Sequence, residues 1–462
     1  MKLKNPTNEN YCATVVVIRN THALPRCDNL HGTIIFGNPV IIGKDVLVGY
    51  IGLYFPAETQ LSHEFVYANN LYRHKELNID KEKVGMLEDN RRIKTVKLRG
   101  NQSCGLFIGM NSLNFLNVNT SELDIGDSFD ELNKTVICNK YVIKTKGKTK
   151  LPGSKRQRRS INRSKLIGGQ FRFHQDTAQL GKNAYKIEPE EIIDLTYKLH
   201  GTSVIISKVL CKKPINWFEK FLRWCKVNIV DTTYDNVYSS RKVVKNKDMS
   251  TKDFITPLGR QHFYSDDIWG MANQKLKEFL VDGMSVYAEI VGFLPNGESI
   301  QKGYDYGCAP NTFEIYIYRI TLTNISGHVF EFSPQQVRQW CVEHGVKHVP
   351  KILHGEANKL FEWKDDAHSA HYNENLDYSE NLTNVIREKY LEKDCYMCRN
   401  VVPAEGIVLR REGSWFEAYK LKSFRFLERE TKMLDKGDTN IEDNQDTNED
   451  NQVSDGEINN VI

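Results

Sequence analysis

The chain has 462 residues, of which 40% are hydrophobic and 10% aromatic, so it has enough apolar side chains to bury sizeable cores. This composition excludes a chain that is disordered throughout, and the length favours two or three domains. The formal net charge is only +4, and no apolar run approaches the roughly 20 residues that a membrane-spanning helix needs.

The first region, residues 1–143, is rich in short β-branched runs separated by glycine turns. The predicted strands are Tyr11–Arg19, His31–Phe36, Pro39–Ile42, Val46–Tyr54, Thr95–Gly100 and Leu106–Gly109. Several short strands of this kind predict a small barrel or sandwich. An OB-like β-barrel is one candidate, but the number of strands does not distinguish it from an SH3-like barrel.

A basic linker is predicted at residues 144–165, which carry ten Lys or Arg and no acid. At the other end of the chain, residues 435–462 carry nine acids against Lys436. A basic body with an acidic tail favours a polyanion such as nucleic acid as the partner. The simpler alternative is that both segments are solvated linkers.

Residues 166–430 have a mixed pattern of strands and helices. Strands are predicted at 202–209, 284–292 and 313–322, and a helix at 335–344, where Ser333 is the cap and Pro334 begins the first turn. The spacing of aromatic residues around Trp217–Cys225 predicts an amphipathic helix packed on a core. Residues 431–462 are too polar to bury a core, so we predict a disordered acidic tail. The fold class is therefore α+β.

Five short segments contain side chains suited to phosphate chemistry. In chain order they are Tyr197–Ser203, Tyr238–Arg241, Val286–Gly292, Glu405–Arg410 and Tyr419–Lys422. Lys198 follows a predicted strand, and a lysine amine becomes a nucleophile only where burial or neighbouring cations lower its pKa. Lys420 and Lys422 alternate on a strand, so both side chains point to one face and can supply that positive field.

Two acidic residues lie within apolar strands. Glu289 and Glu405 are each followed by glycine or a turn containing glycine. A carboxylate in such surroundings needs a partner, for example a ribose hydroxyl, a lysine or a metal-bound water. Each segment alone is weak, because short matches of this kind occur often by chance, but the five together in this order are distinctive.

These segments resemble the motifs of the covalent nucleotidyltransferases, the family of ATP-dependent RNA and DNA ligases and mRNA capping enzymes. Lys198-Leu-His-Gly is similar to the nucleophile motif, and His200 resembles RNA ligases in particular. Residues 313–320 resemble a further motif of the family. The stretches Thr95–Leu106 and Phe171–Thr177 resemble nick-sealing RNA ligases that carry an OB module before the ligase domain.

The resemblance implies an OB-like β-barrel at 1–143 and an antiparallel-sheet nucleotidyltransferase domain at 166–430. It implies an ATP-dependent RNA ligase that uses Mg²⁺ or Mn²⁺ and seals RNA ends, notably nicks in duplexes. Lys198 would attack the α-phosphate of ATP to give lysyl-AMP, and AMP would then move to a 5′-phosphate end that a 3′-hydroxyl attacks.

The resemblance also implies a role for each matching residue. Glu405 would orient a metal-bound water or the nucleophile, Lys420 and Lys422 would hold the α-phosphate, Glu289 would hold the ribose hydroxyls, and Arg241 would contact the ribose or a phosphate. An aromatic side chain would stack on adenine, with Tyr318 the first candidate and Tyr316 the second. Tyr197, His200, Gly201 and Ser203 would line the nucleotide site around the nucleophile.

Two features depart from the family pattern. Arg319 occupies the position after Tyr318 where the family has an acid, and residues 211–237 lengthen the gap before Arg241.

The alternatives to an RNA ligase are a DNA ligase, a GTP-using capping enzyme, or a non-catalytic nucleic-acid-binding protein. Cys395 and Cys398 have the spacing of metal ligands without a second clear pair. We expect a cytoplasmic monomer whose cysteines are reduced and whose partner is RNA or an RNA-containing nicked duplex.

Overall fold

The structure is a computed structural model. The structure describes residues 3–142, 165–245, 264, 266–361, 373 and 376–437. The predicted basic linker therefore lies outside the described residues, apart from Lys165. None of the helices in these ranges has the length and apolar character needed to cross a membrane.

The first region consists of short antiparallel strands. They are β1 (Ala13–Val17), β2 (His22–Ala23), β3 (Leu30–Ile35), β4 (Asn38–Gly43), β5 (Ile51–Phe55), β6 (Thr59–Leu61), β7 (Thr95–Leu98), β8 (Asn101–Cys104), β9 (Leu106–Gly109), β10 (Ser128–Phe129), β11 (Glu131–Leu132), β12 (Thr135–Val136) and β13 (Cys138–Lys140). Helix α1 (His63–Ala68) follows β6 and is capped by Ser62, whose hydroxyl accepts a hydrogen bond from the backbone of Phe65.

These strands pair in separate sheets in the order β10-β1-β5-β9, β2-β3-β4, β7-β8, β13-β6 and β11-β12. Alternate residues of β1 and β5, including Val15, Leu53 and Phe55, are fully buried and pack with Phe65 in one core. The predicted strands are present, although β5 begins only at Ile51. Within residues 3–142 the pairings do not close into a barrel, so the structure shows antiparallel sheets and no more.

The second region contains longer strands. They are β14 (Ala178–Gln179), β15 (Ile192–Lys198), β16 (Thr202–Lys212), β17 (Thr232–Ser239), β18 (Met284–Gly292), β19 (Phe313–Thr323), β20 (Val329–Glu331), β21 (Lys347–His348), β22 (Lys351–Glu356), β23 (Gly406–Arg411) and β24 (Ala418–Lys422). The helices are α2 (Leu180–Asn183), α3 (Trp217–Trp224), α4 (Ile268–Leu276), α5 (Pro334–Glu343), α6 (Tyr378–Ile386) and α7 (Phe424–Asp435). A π-helical turn, Arg387–Leu391, extends α6.

Two sheets organise this region. A five-stranded sheet has the order β14-β24-β23-β15-β22, and a six-stranded sheet has the order β17-β16-β18-β19-β20, with β21 beside β19. The six-stranded sheet packs against α4 and α5 through Trp269 and Trp340. A separate apolar cluster that includes Leu199, Tyr304 and Phe426 lies where the chain passes from one sheet to the other. The mixed fold with antiparallel sheets is as predicted.

Helix α5 shows why the local prediction succeeded. Ser333 accepts a hydrogen bond from the backbone of Gln336, and the Gln336 side chain in turn accepts one from the backbone of Ser333. This reciprocal capping box satisfies backbone donors that the first helical turn leaves open. Pro334 begins the helix, where a missing N–H costs nothing.

Two predictions about this region were wrong. Helix α3 does not pack on a core: none of its residues is buried, and Trp217 and Trp224 are each 80% exposed. The reason is that β16 and β17 pair up to Lys212 and Thr232, so the intervening segment extends past the end of the sheet, and among the described residues it is covered by no other layer. The predicted disordered tail begins too early, because α7 continues to Asp435.

Candidate active site

Lys198 and Glu405 form the ion pair at the centre of the site. The Lys198 ammonium nitrogen lies 2.8 Å from Glu405 Oε1, and the Glu405 side chain is only 3% exposed. Burial would raise the pKa of Glu405, but the cations of Lys198 and Lys422 and the adjacent His200 outweigh burial and lower it. Glu405 is therefore a carboxylate that holds Lys198 in one position at the junction of the two sheets.

The register of the five-stranded sheet brings these residues together. Lys198 is the last residue of β15 and pairs with Gly406 of β23, which in turn pairs with Lys422 of β24. Neighbouring strands lie about 4.8 Å apart, so residues in one row across the sheet are within reach of each other's side chains. Lys422 Nζ lies 3.9 Å from the same Glu405 oxygen that contacts Lys198.

The two lysines of β24 have different surroundings. The carboxylate of Glu430 on α7 lies 3.2 Å from Lys422 Nζ. Burial would lower the pKa of Lys422, but the charges of Glu430 and Glu405 raise it well above its usual value. Burial, aided by the cations of Lys422 and Arg241, lowers the pKa of Lys420 to about 8. Lys422 is thus a permanent cation, whereas Lys420 can lose its charge in mildly alkaline solution.

The loop after Lys198 requires a glycine. The backbone N–H of Gly201 donates to Glu289 Oε1 at 3.0 Å, and its carbonyl accepts from Gln301 at 2.7 Å. A Cβ at Gly201 would lie 2.2 Å from the backbone oxygen of Ile290, which is a severe clash. The small residue therefore lets the nucleophile loop lie directly against β18.

His200 is packed between aromatic rings. Its ring lies 5.0 Å from that of Tyr304 and 4.9 Å from that of Phe426, centroid to centroid, and its backbone N–H donates to the Tyr306 hydroxyl. Burial lowers the pKa of His200, although Glu405 opposes that shift. Packing between these two rings therefore holds His200, and with it the loop after Lys198, in place.

The six-stranded sheet contributes a row of polar and aromatic side chains. Ser203, Glu289 and Tyr316 stand opposite one another on β16, β18 and β19. The Ser203 hydroxyl donates to Glu289 Oε2 at 3.3 Å. Residues that face each other across antiparallel strands project to the same side of the sheet. A carboxylate beside an aromatic ring on one face is suited to binding a nucleoside.

A β-bulge changes the side-chain pattern at Tyr318. The register shifts between Tyr287 and Ala288, which pair with Arg319 and Ile317, so Tyr318 is the extra residue. The Tyr318 hydroxyl is hydrogen-bonded to His174 Nδ1 at 3.1 Å. Tyr316 and Tyr318 both pack against the cluster between the sheets, so both predicted aromatic residues are at the site.

Arg319 has its own acidic partner. Its guanidinium makes two hydrogen bonds of 2.9 Å to Glu331 on β20. The guanidinium also lies over the rings of Tyr287 and Phe416. The arginine that departs from the family pattern is therefore buried and neutralised by an acid from the next strand.

Arg241 lies just beyond the end of β17 and pairs with Asp176. Burial would raise the pKa of Asp176, but the cations of Arg241 and Lys420 lower it. Arg241 is thus paired with Asp176, and Lys420 is close enough for its charge to act on the same carboxylate. Tyr197, the remaining predicted site residue, packs against the same apolar cluster as Tyr316 and Tyr318, and its ring lies 5.1 Å from that of Tyr396.

One buried oxygen of the site is suited to a cation. Glu405 Oε2 accepts no hydrogen bond within the described residues. Mg²⁺ commonly binds through one or two carboxylates together with phosphate oxygens. The described ranges contain no group of three His, Cys, Asp or Glu side chains that could hold a metal ion alone. The residues therefore fit a cation held by Glu405 and phosphate, and they do not fit a cage made only of protein.

The sequence motifs missed two acids of the site. Asp176 belongs to the stretch Phe171–Thr177, where its spacing gave no sign that it would pair with Arg241, 65 residues away. Glu430 follows the last motif by eight residues, and only its position on the second turn of α7 brings it to Lys422. Both acids could have been sought on chemical grounds, because a cation that is largely removed from water requires an acidic partner.

Comparison with known proteins supports the architecture. Comparison with curated protein sequences gives no match. Three solved structures of Naegleria gruberi RNA ligase are similar to this chain. A lysine mutant with ATP and Mn has 16% identity, covers 90% of this chain and 98% of its own, and has a TM-score of 0.54. An apo aspartate mutant has 15% identity, coverage of 91% and 98%, and a TM-score of 0.53. The ligase with PPi has 14% identity, coverage of 91% and 98%, and a TM-score of 0.51.

The sequence model of the RNA ligase family matches residues 192–426, which is just over half of the chain. The matched stretch begins with β15 and ends within α7, so it contains Lys198, Glu289, Glu405, Lys420 and Lys422. This chain belongs to the RNA ligase family.

Proposed function

We propose that the protein is an ATP-dependent RNA ligase that joins a 3′-hydroxyl to a 5′-phosphate through a lysyl-AMP intermediate at Lys198. The observation that carries this proposal is the cluster of Lys198, Glu405 and Lys422, in which one buried carboxylate oxygen lies 2.8 Å and 3.9 Å from two ammonium nitrogens. Phosphoryl transfer depends mainly on positioning and charge neutralisation, and this cluster supplies both.

In the first step the Lys198 amine attacks the α-phosphate of ATP. A nitrogen–phosphorus bond forms, the bond to pyrophosphate breaks, and the lysine releases its proton. Lys420 and Lys422 neutralise charge on the phosphate, while Glu405 fixes the direction of the attacking nitrogen. A bound Mg²⁺ or Mn²⁺ would add positive charge at the phosphates, and Glu405 Oε2 is the oxygen suited to hold it.

The six-stranded sheet binds the nucleoside in this proposal. Glu289 accepts hydrogen bonds from the ribose hydroxyls, and Tyr316 or Tyr318 stacks on adenine. Arg241 contacts the ribose or a phosphate, since a guanidinium fork suits paired oxygens. Gly201, His200 and Ser203 shape the loop that carries the nucleophile, and Tyr197 supports that loop from outside the charged cluster.

The two later steps transfer the adenylate to RNA. A 5′-phosphate oxygen of the RNA attacks the phosphorus of lysyl-AMP, which frees the Lys198 amine. The 3′-hydroxyl then attacks the activated 5′-phosphate, a phosphodiester bond forms, and AMP leaves. We propose that the substrate is a nick in a duplex and that residues 1–143 form an OB-like module that holds it. Residues 144–165, with ten basic residues, would add salt-sensitive phosphate contacts.

We further propose that the protein acts as a monomer in the cytosol. All ten cysteines are free thiols, as expected in a reducing compartment. These include Cys395 and Cys398, whose thiols are hydrogen-bonded to each other. That hydrogen bond lowers the pKa of Cys395 to about 7.

Labelling and sealing assays test this function directly. The protein is incubated with Mg²⁺ and either ATP or GTP labelled at the α-phosphate. Label from ATP alone supports the proposal, and label from GTP would indicate a capping enzyme. Nicked duplexes with RNA or DNA at the 3′-hydroxyl side then identify the substrate. Preference for RNA is expected, and equal sealing of DNA would contradict it.

A further inference from the structure

Helix α7 connects the charged cluster to the N-terminal region through two consecutive residues. Glu430 contacts Lys422 Nζ with both carboxylate oxygens, at 3.2 Å and 3.3 Å. The next residue, Thr431, donates its hydroxyl to Glu58 of the N-terminal region at 2.9 Å. Thr431 is 4% exposed, so this second contact is buried between the two parts of the chain.

The N-terminal side of this contact is itself firmly held. Arg92 donates to both oxygens of Glu58, at 2.6 Å and 2.7 Å, and its remaining guanidinium nitrogen lies 3.0 Å from Asp435 at the end of α7. The Arg92 side chain is 1% exposed. The backbone N–H of Thr95 also donates to the Thr431 hydroxyl, at 3.4 Å. The second half of α7 is therefore anchored to the N-terminal region.

The first turn of α7 contacts both parts of the chain. Ser423 caps the helix, and the backbone N–H of Phe424 donates to Glu392 at 2.8 Å. Phe426 is buried in the apolar cluster between the two sheets, whereas Phe424 is buried against Ala57 and Cys104 of the N-terminal region. Glu430 thus lies between two anchors, and its position depends on both the ligase domain and the N-terminal region.

Glu430 also affects the position of the Lys422 ammonium group, which lies nearer to Glu430 than to Glu405. Without Glu430, the nearest acid to Lys422 among the described residues is Glu405, whose Oε1 is 3.9 Å away and already paired with Lys198. A Lys422 side chain drawn to Glu405 would compete with Lys198 for the same oxygen. With Glu430 at 3.2 Å, Lys422 stays 3.9 Å from the Glu405 oxygen that Lys198 contacts at 2.8 Å.

We infer that Glu430 is a positioning residue for the transfer of AMP to Lys198, and that the contact of Thr431 with Glu58 lets the N-terminal region support this step. The inference rests on the proposed function of Lys198 and Lys422. It gives residues 1–143 a second task besides holding RNA, because the cavity between the N-terminal region and the ligase domain is lined by Glu58, Lys420, Lys422 and Glu430 together.

The test is single-turnover formation of enzyme–AMP with full-length protein, ATP and Mg²⁺. E430Q should lower the maximal rate about tenfold, which is less than the roughly 10²–10³ that loss of a direct electrostatic contact to the reacting group costs. E430D should recover part of the rate, and T431V should cause a smaller loss, because it removes only the hydroxyl that reaches Glu58. The melting temperature is measured for each variant, so that a purely structural defect is recognised.

The matched control is E428Q. Glu428 lies on the same helix, and its carboxylate pairs with Lys432 at the surface. The E428Q variant should label at the wild-type rate. If wild-type protein takes no label, the proposed function itself fails. If wild-type protein takes label and E430Q matches E428Q, or E430D is no better than E430Q at equal melting temperature, the inference about Glu430 is overturned. Wild-type rates in T431V would overturn the role of the N-terminal contact.

Discussion

The two sheets of the second region differ in the side chains that they bring to the junction. The five-stranded sheet contributes charge: Lys198, Lys420 and Lys422, with Glu405 directly before the internal strand β23. The six-stranded sheet contributes a hydroxyl, a carboxylate and an aromatic ring in one row, Ser203, Glu289 and Tyr316. The division suggests that one sheet performs the phosphoryl transfer and the other recognises the nucleoside. Substitutions on the first should lower the rate, and those on the second should weaken ATP binding.

Loss of the nucleophile should have the largest effect. K198A should abolish the covalent label, because the other amine near Glu405, that of Lys422, lies 3.9 Å away on β24 and is paired with Glu430. K198R is the matched variant, since it retains a cation for Glu405 but offers no amine. Circular dichroism should show a folded protein in both cases. Covalent label on K198A would contradict the assignment of phosphoryl transfer to the five-stranded sheet, because that assignment depends on Lys198 as the nucleophile.

Loss of the central carboxylate should come next. E405Q should reduce the rate of labelling by roughly 10²–10³, because it removes the carboxylate that orients Lys198 and that contacts it at 2.8 Å. E331Q is the control, since Glu331 is equally buried and pairs with Arg319 away from the cluster. Rapid-quench labelling at saturating ATP measures the rate. Similar losses of rate in both variants would mean that stability, and not catalysis, explains the result.

Changes on the six-stranded sheet should act on binding. Base stacking on an aromatic side chain contributes about 1–3 kcal/mol, so removing the stacking ring should raise the ATP concentration for half-maximal labelling at least several-fold. Y316A and Y318A are compared, with Y316F and Y318F as controls that keep the rings. The alanine variant with the larger shift identifies the stacking residue. A fall in maximal rate without a shift in ATP dependence would contradict the division between the sheets.

The smallest effect should be a change with pH. Since the pKa of Lys420 is lowered to about 8 by burial, its charge is present below that pH and is lost above it. The kcat/KM for labelling reports the free enzyme, so it should fall a few-fold as pH rises past about 8. K420R keeps its charge and should move that fall to higher pH. An unchanged profile in K420R would show that Lys420 does not need its charge.

Much of the site could be predicted because it follows from strand register. Lys198, Lys420 and Lys422 lie at or near strand ends, and their alternation predicts which of them share a face. The predicted strands at 284–292 and 313–322 are confirmed almost to the residue. Their Val and Ile content and clear boundaries make such long strands visible in a sequence.

The remaining features depend on contacts between distant parts of the chain. The bulge at Tyr318 changes which residues face the core, and no local pattern marked it. The exposure of α3 follows from its position at the end of a sheet, since the same amphipathic sequence could equally pack on a core. The contact of Thr431 with Glu58 joins residues 373 positions apart, so it depends on how the N-terminal region docks.

Intact-mass analysis after incubation with ATP and Mg²⁺, followed by peptide mapping, tests the central claim most directly. We predict that one adenylate is added and that it is bonded to Lys198. A protein that gains no mass, or that carries the adenylate on another residue, would contradict the assignment of the nucleophile and the mechanism built on it.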